Sequence, residues 1–414
     1  MIILHELKKA LVSPVILSLI GIFISFNLFI IYSYSYVKEE LGILTKLVNQ
    51  FGYELNEETI DDFHLFYNKQ LKKLNEITPE TYGSAAEFFN KNKVIDEKHY
   101  SKEELTFFHD VLITENYYFV SRDIDELYKS LNLTDEAESQ INKFQLSGAA
   151  AYTVKKEFTK LSDRLEQIIK NGEHKTLFFY GKAYEMHSFL FKNLFRLIIF
   201  EILILVVLIT SFIQTYEFEN KTYGHIYSTK TGRKLAFDKL MASFMASFIV
   251  TTIIAGITLI SYFSVYNYSG LWNVPISSYF NAEKLIPYIS WWEISFIAYL
   301  FLVTALLYVC QLLFSAITFI IAMFIRNSYF VFIMFGIIFG CGLLLPSIAS
   351  LDSNLIFISM LTPFTLILNP NIWFIGGNAF YRQYYEINTI AVWTVLLFIL
   401  CIGSIKIFRK QNIH

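Results

Sequence analysis

Residues 214–239 read Gln-Thr-Tyr-Glu-Phe-Glu-Asn-Lys-Thr-Tyr-Gly-His-Ile-Tyr-Ser-Thr-Lys-Thr-Gly-Arg-Lys-Leu-Ala-Phe-Asp-Lys, a polar insertion between two adjacent hydrophobic runs. Glu217 and Glu219 leave the first run. Tyr223, Ile226 and Tyr227 then follow at i, i+3, i+4 spacing, which predicts one turn of amphipathic helix. Ser228 to Gly232 break it, and Arg233, Lys234 and Lys239 open the next run. A short helix held between two membrane spans is a handle on which a soluble partner can push.

The runs on either side continue along the chain. Met1 to Ser13 has Leu4, Leu7 and Leu11 apolar and His5, Lys8 and Lys9 polar, and stops before Pro14. It predicts a helix lying in the membrane interface, residues 1–13. The first transmembrane helix follows over 14–37, with an apolar core from Val15 to Ile31 and Tyr32, Tyr34 and Tyr36 as an interfacial belt. Its core exceeds a signal-peptide h-region and lacks a small-x-small cleavage site, which favours a retained span. Asn27 inside it reads by default as helix-to-helix glue, and otherwise as the lining of a pathway.

Further spans are expected over Asn193–Ile213, Leu240–Tyr262, a long run from Trp292 to Ile325, a fifth stopping at Pro346, and Ile387–Ile405. The run from Trp292 exceeds one perpendicular crossing and either tilts, protrudes or breaks. Within Ser347–Glu386 the apolar stretches around 356–368, interrupted by Pro363 and Pro370, are too short and broken to cross and read as interfacial or re-entrant. Glu201 lies within the second span, where an ionisable group is expensive. It is either functional or a carboxylate near the surface paired with Arg196 or Lys192.

Composition agrees with a polytopic membrane protein carrying a sizeable aqueous domain. The 414 residues are 54% hydrophobic and only 17% charged. Residues 38–190 hold 19 Lys and Arg against 27 Asp and Glu, a balance of −8; the remainder holds 15 against 9, or +6, and the sum is the net −2. Blocks of opposite sign point to opposite sides of a membrane, not to nucleic acid. The acidic block reads as helical. Thr78-Pro79-Glu80 predicts a helix start, Ser101 to Glu104 a capping box, and Val154, Phe158, Leu161, Leu165 and Ile168 an apolar seam ending near Asn171-Gly172. Asn132-Leu-Thr134 matches a glycosylation sequon but reads as a helix-cap turn. The three cysteines, Cys310, Cys341 and Cys401, all fall in hydrophobic runs and read as packing residues. The block has none, so it is expected to fold on its own core.

Six spans place both termini on one side, and the basic residues say which. Lys8, Lys9, Lys221, Lys230, Arg233, Lys234, Lys239, Arg326, Lys406, Arg409 and Lys410 share that side, against Lys284 and Arg382 in the opposite short loops. By the positive-inside rule both termini are cytosolic and residues 38–190 extracytoplasmic. Enzymatic motifs are absent. Gly181-Lys182 lacks the upstream Gly and the Ser/Thr of a phosphate-binding loop, His5-Glu6 lacks a second His, and the eight histidines show no metal-ligand spacing.

The layout resembles the membrane subunits of ABC exporters of the ABC-two, or type V, class. The resemblance covers the interfacial helix, the six spans and a large insert after the first. Its most specific part is Glu217-x-Glu219, then Lys221-Thr222-Tyr223-Gly224-His225-Ile226-Tyr227-Ser228, Arg233 and Lys239, with Arg326-Asn327 before the fifth span and Pro346 after it. It implies an all-α permease in a bacterial plasma membrane, with 214–239 as the cytosolic coupling segment within 191–414. It also implies a separate cytosolic ATPase, in two copies, that docks on residues 222–228, binds the ATP and magnesium, and leaves this chain without a cofactor. A second permease, identical or paralogous, completes the assembly. The expected cargo is an amphiphile: a peptide, a lipid or a hydrophobic drug. An acidic outer domain favours cationic peptides electrostatically. A different reading is a membrane-anchored sensor or scaffold whose outer domain binds a ligand or partner. A secondary transporter is a third, but no internal repeat of spans is present.

Overall fold

The computed structural model describes residues 2–35, 38–92, 99–227, 232, 235–283 and 286–410. Six of its helices are long and apolar enough to cross a membrane, so the chain is an all-α multi-pass membrane protein. A short interfacial-type helix, α1 (Ile2–Leu11), precedes α2 (Pro14–Ser33), the first span. Pro14 occupies the first helical turn, where its missing N–H is harmless.

A helical domain follows: α3 (Lys38–Phe51), α4 (Glu57–Ile77), α5 (Ala85–Lys91), α6 (Lys102–Lys129), α7 (Leu133–Lys143) and α8 (Gly148–Asn171). Ser101 and Glu104 form a reciprocal capping box at the start of α6, and Asn132 caps α7. Thr78-Pro79-Glu80 does not start a helix. Thr78 ends α4, its hydroxyl donating to the carbonyls of Leu74 and Glu80, while Asn75 pins the Tyr82 backbone. The next helix starts only at Ser84, whose hydroxyl caps α5, and the buried Glu115 carboxylate accepts from the N–H groups of Ala85 and Ala86. A negative charge at that helix end is where the helix dipole favours it.

The second span is part of one unbroken helical rod, Lys182–Glu219. It comprises α9 (Lys182–Phe189), a single π turn (Leu190–Leu194) and α10 (Phe195–Glu219). The domain boundary expected at residue 190 therefore falls inside a continuous helix, 38 residues and about 57 Å long. A five-residue helix, α11 (Tyr223–Tyr227), leads to the third span, α12 (Leu235–Val265). The fourth, α13 (Phe296–Phe324), resolves the over-long run from Trp292 as one continuous helix of 29 residues that begins after a Ser295 cap. The fifth, α14 (Ser328–Ile348), passes through Pro346 rather than stopping there, because a proline near a helix end removes few internal hydrogen bonds. After α15 (Leu355–Ser359) and α16 (Pro363–Leu366), the sixth span α17 (Tyr385–Lys410) completes the bundle. The rod is the most enclosed of the six; α2, α14 and α17 form the rim.

Residues 355–372 dip back into the bundle. Phe364 of α16 packs on Phe314, Phe339 and Trp393 with ring centroids 5.4–6.0 Å apart. Gly342 makes room: a Cβ there would overlap the Phe364 ring. Phe339 lies nine residues before the end of α14, so the loop reaches about 14 Å below that end.

The domain does not keep a core to itself. Val154, Phe158, Leu161, Leu165 and Ile168 of α8 are buried together with Ile289, Trp291, Ile356, Phe357 and Ala379 from the two inter-span loops. Polar ties repeat this pattern. Arg164 forks onto Glu173 at 2.6 and 2.8 Å and also donates to the Ser290 carbonyl at 3.1 Å. The start of α8 sits on the loop after α14, with Ala149 N–H donating to the Asp352 carbonyl at 2.8 Å. Gly148 has φ +51° there, and a Cβ would lie 2.8 Å from that carbonyl, so both backbone angle and space call for glycine.

Candidate functional site

The end of the bundle opposite the domain, the basal end, gathers charge from three elements, α1, α10 and α12. The inward face of α10 delivers Gln214 and Glu217 at i, i+3 spacing. Glu217 is 2% exposed and is bonded to the ammonium of Lys239 on α12, itself 1% exposed. Lys9 of α1 stands 3.6 Å from the other Glu217 oxygen, 3.0 Å from Glu6, and 3.8 Å from the Tyr216 ring centre. Two carboxylates thus face two ammoniums, and the group is neutral as a whole. Neutrality matters because an uncompensated charge this deep costs several kcal/mol. The Tyr227 hydroxyl donates to Glu217 at 3.4 Å. Burial and the neighbouring Glu217 push that phenol well above its ordinary range, so it stays a donor.

Helix α10 is closed by Thr222, whose N–H donates to the Glu217 carbonyl at 2.9 Å, with Lys221 at φ +56°. The chain reverses there into α11. Tyr223 and Tyr227 lie on the Phe218 ring at 5.3 and 5.6 Å, Arg326 lies 4.9 Å from the same ring, and Tyr227 meets Phe408 edge-on at 5.2 Å. Glu219 accepts from the Ser328 N–H at 2.6 Å, placing a carboxylate at the start of α14. Tyr227 is buried and Tyr223 and Ile226 half-buried, so the apolar face of α11 is turned into the bundle. Thr222, Gly224 and His225 are exposed. In consequence α11 is seated on α10 and α17 directly, and reaches Lys239 of α12 and Lys9 of α1 through Glu217.

No protein-family model, curated protein or solved structure matches this chain. The arrangement is to be read from its own geometry.

Of the residues singled out in the coupling segment, Glu217, Glu219, Thr222, Tyr223, Gly224, Ile226, Tyr227 and Lys239 come together as described. Ser228 and Arg233 lie outside the described residues. Glu6 and Lys9 were not expected as partners of Glu217. Their i, i+3 spacing on an amphipathic helix was the available signal, but nothing in it named the third member. Among the described residues no cluster of three His, Cys, Asp or Glu is placed to hold a metal ion.

A second polar group lies within the bilayer. Asn27 of α2 donates from Nδ2 to Glu201 of α10 at 2.8 Å and sits 3.1 Å from the Thr258 hydroxyl of α12. Glu201 therefore pairs with Asn27, the other residue flagged in the sequence, and not with its near neighbours in sequence. Lys192 is bonded instead to Glu283 at 2.9 Å, and Arg196 is exposed with no ion pair among the described residues. Asn27 is fully buried and its Oδ1 has no hydrogen-bond partner among the described residues. Polar side chains from three spans bind one another there, away from lipid, as interhelical glue does.

Proposed function

We propose that the chain is the membrane-spanning permease subunit of an ATP-driven exporter of the ABC-two (type V) class. A separate cytosolic ATPase, present twice in the assembly, docks on the exposed side of α11. A second permease, identical or related, lines the other half of the path. The observation that carries this reading is the seating of α11: a five-residue helix with small and polar residues outward and Tyr223 and Tyr227 held inward on Phe218 and Glu217 of α10 and on Phe408 of α17. Force applied to Thr222, Gly224 and His225 passes directly into α10, α12 and α14, since the buried Glu217–Lys239 bond and the Glu219–Ser328 bond leave little slack. Lys8, Lys9, Lys221, Arg326, Lys406, Arg409 and Lys410 favour a cytosolic basal end, and the domain then faces out of a bacterial cell. The chain supplies the path and the lever; ATP and magnesium belong to its partner.

The test is purification from the native host, with and without Thr222→Arg/His225→Glu. Both side chains are exposed, and melting temperature reports any loss of the Thr222 hydroxyl bond to the Glu217 carbonyl. The expected result is an ATPase subunit that co-purifies with the parent chain and is lost from the variant, at unchanged melting temperature. A cysteine at position 225 that reacts with impermeant reagent from outside the cell would overturn the reading. Absence of any ATPase companion would favour a sensor or scaffold instead.

A further inference from the structure

The first span is held from one side. α2 packs chiefly on α12: Asn27 reaches Thr258, and Tyr266, just past the end of α12, donates to the Ile31 carbonyl at 3.0 Å. On its other side a hollow of about 590 Å³ remains between α2 and α10, at the end of the bundle nearer the domain. Ile30 of α2 and Leu197 and Phe200 of α10 give it an apolar wall, and the Phe200 ring meets Phe339 of α14 at 6.2 Å. Asn193 and Arg196 form its polar edge. The Arg196 side chain is exposed and makes no ion pair among the described residues, whereas Lys192, one turn earlier on the rod, is held by Glu283.

The depth of that arginine follows from the helix. From residue 196 to residue 217 the chain is unbroken α-helix with a rise of about 31 Å, so with Glu217 at the basal end Arg196 stands one hydrocarbon thickness away, at headgroup level. An exposed guanidinium at that level needs water or an anion against it. We propose that the hollow seats one anionic phospholipid of the leaflet nearer the domain, its phosphate on Arg196 and an acyl chain along Ile30, Leu197 and Phe200. The planar fork of arginine matches a phosphate through two parallel N–H groups. A zwitterionic headgroup brings its own ammonium to that phosphate and neutralises the guanidinium less well; an anionic headgroup brings none. A second copy of the chain suits the hollow less. The sequences of the rim spans α2 and α14 hold no Asp or Glu, and Glu386 of α17 is only 3% exposed, so the rim spans of a second copy offer Arg196 no carboxylate.

The test reads the hollow locally, on the full chain without any ATPase. Cys310 and Cys401 are buried and Cys341 is exposed, so Asn193→Cys/Cys341→Ala takes a bimane label at position 193. The labelled protein is reconstituted in phosphatidylcholine vesicles doped with brominated phosphatidylglycerol or brominated phosphatidylcholine. Quenching is expected to show the anionic lipid bound about tenfold more tightly, and Arg196→Gln to bring the two lipids to parity. Arg196→Lys, which keeps the charge but loses the fork, should retain part of the preference. Lys192→Gln should retain all of it, since that ammonium is already held by Glu283. Melting temperatures report on folding in each variant. Equal quenching by the two lipids overturns the inference, as does a preference that survives Arg196→Gln. A label that neither lipid quenches, in protein that cross-links as a dimer through position 193, would put a second copy in the hollow and overturn it too. Millimolar inorganic phosphate that abolishes the preference would give the site to a free anion and do the same. Failure of any of these leaves the docking of a partner on α11 untouched, and loss of that docking leaves this result standing.

Discussion

Removing one charge from the basal ion group should damage the protein more than removing two. Glu217→Gln leaves the Lys239 ammonium, 1% exposed, with neutral acceptors in place of its carboxylate, the new amide oxygen and the Gln214 carbonyl at 3.4 Å, and with Lys9 as a like-charged neighbour. Breaking a buried pair from one side costs about 3–5 kcal/mol, and this site belongs at the upper end. Lys239→Met is milder, because Lys9 still stands 3.6 Å from Glu217 and the Tyr227 hydroxyl still donates to it; about 2–3 kcal/mol is expected. The double variant Glu217→Gln/Lys239→Met removes both charges and leaves a near-isosteric neutral pair, so its loss should fall to about 1–2 kcal/mol. At about 2 °C per kcal/mol for a chain of this size, Glu217→Gln melts roughly 6–10 °C low and the double variant roughly 2–4 °C low. Thermal unfolding of purified, detergent-solubilised protein reads the difference. Losses in the double variant equal to the sum of the single ones would refute the coupling on which the lever depends.

Three further outcomes follow from other parts of the fold. Glu201→Leu strips Asn27 of its carboxylate partner inside the bilayer and should cost about 1–3 kcal/mol, whereas Asn27→Leu/Glu201→Leu recovers most of it; the same melting assay separates them. Gly342→Ala pushes a methyl into the Phe364 ring and should cost about 1–3 kcal/mol, eased by the smaller ring-free side chain of Phe364→Leu; a Gly342→Ala variant with parental stability would mean that the re-entrant loop does not pack there. In the domain, burial pushes the Asp125 carboxyl up, but hydrogen bonds from Lys175 and His174 outweigh it and hold the group below its ordinary value. A lowered folded-state value contributes stability above the unfolded value of about 3.9 and loses it as pH falls through the folded one. Melting temperature should therefore drop on acidification below about pH 4 in the parent chain, and the drop should be shallower in Asp125→Asn.

What could be read from the chain followed physical range. Apolar runs report span number and order directly, because lipid imposes its demand residue by residue, and the α11 turn announced itself by spacing alone. The orientation of that turn did not. Its apolar face needed Phe218 and Phe408, which come from two spans 190 residues apart in the chain. Asn27 and Glu201 were each conspicuous as polar groups in apolar runs, yet 174 residues separate them and no local pattern joins them. The shared core of α8 was equally hidden. A seam at helical spacing tells which face is buried, but not that Ile289, Trp291, Ile356 and Phe357 would cover it. Thr78-Pro79 misled because the same two residues that open a helix also suit the exit from one, and Asn75 decided between them.

The rod from Lys182 to Glu219 holds Glu201 and Glu217, with their partners Asn27 and Lys239, on a common shaft. Twisting it would carry Glu201 away from Asn27 and Glu217 away from Lys239 in the same motion, so the two act as paired latches that release together. Between them the shaft is ordinary α-helix, too stiff to turn in part. The π turn at Leu190–Leu194, above both latches, is where torsion can be absorbed, and it sits between the lysine at the tip and the carboxylates at the foot.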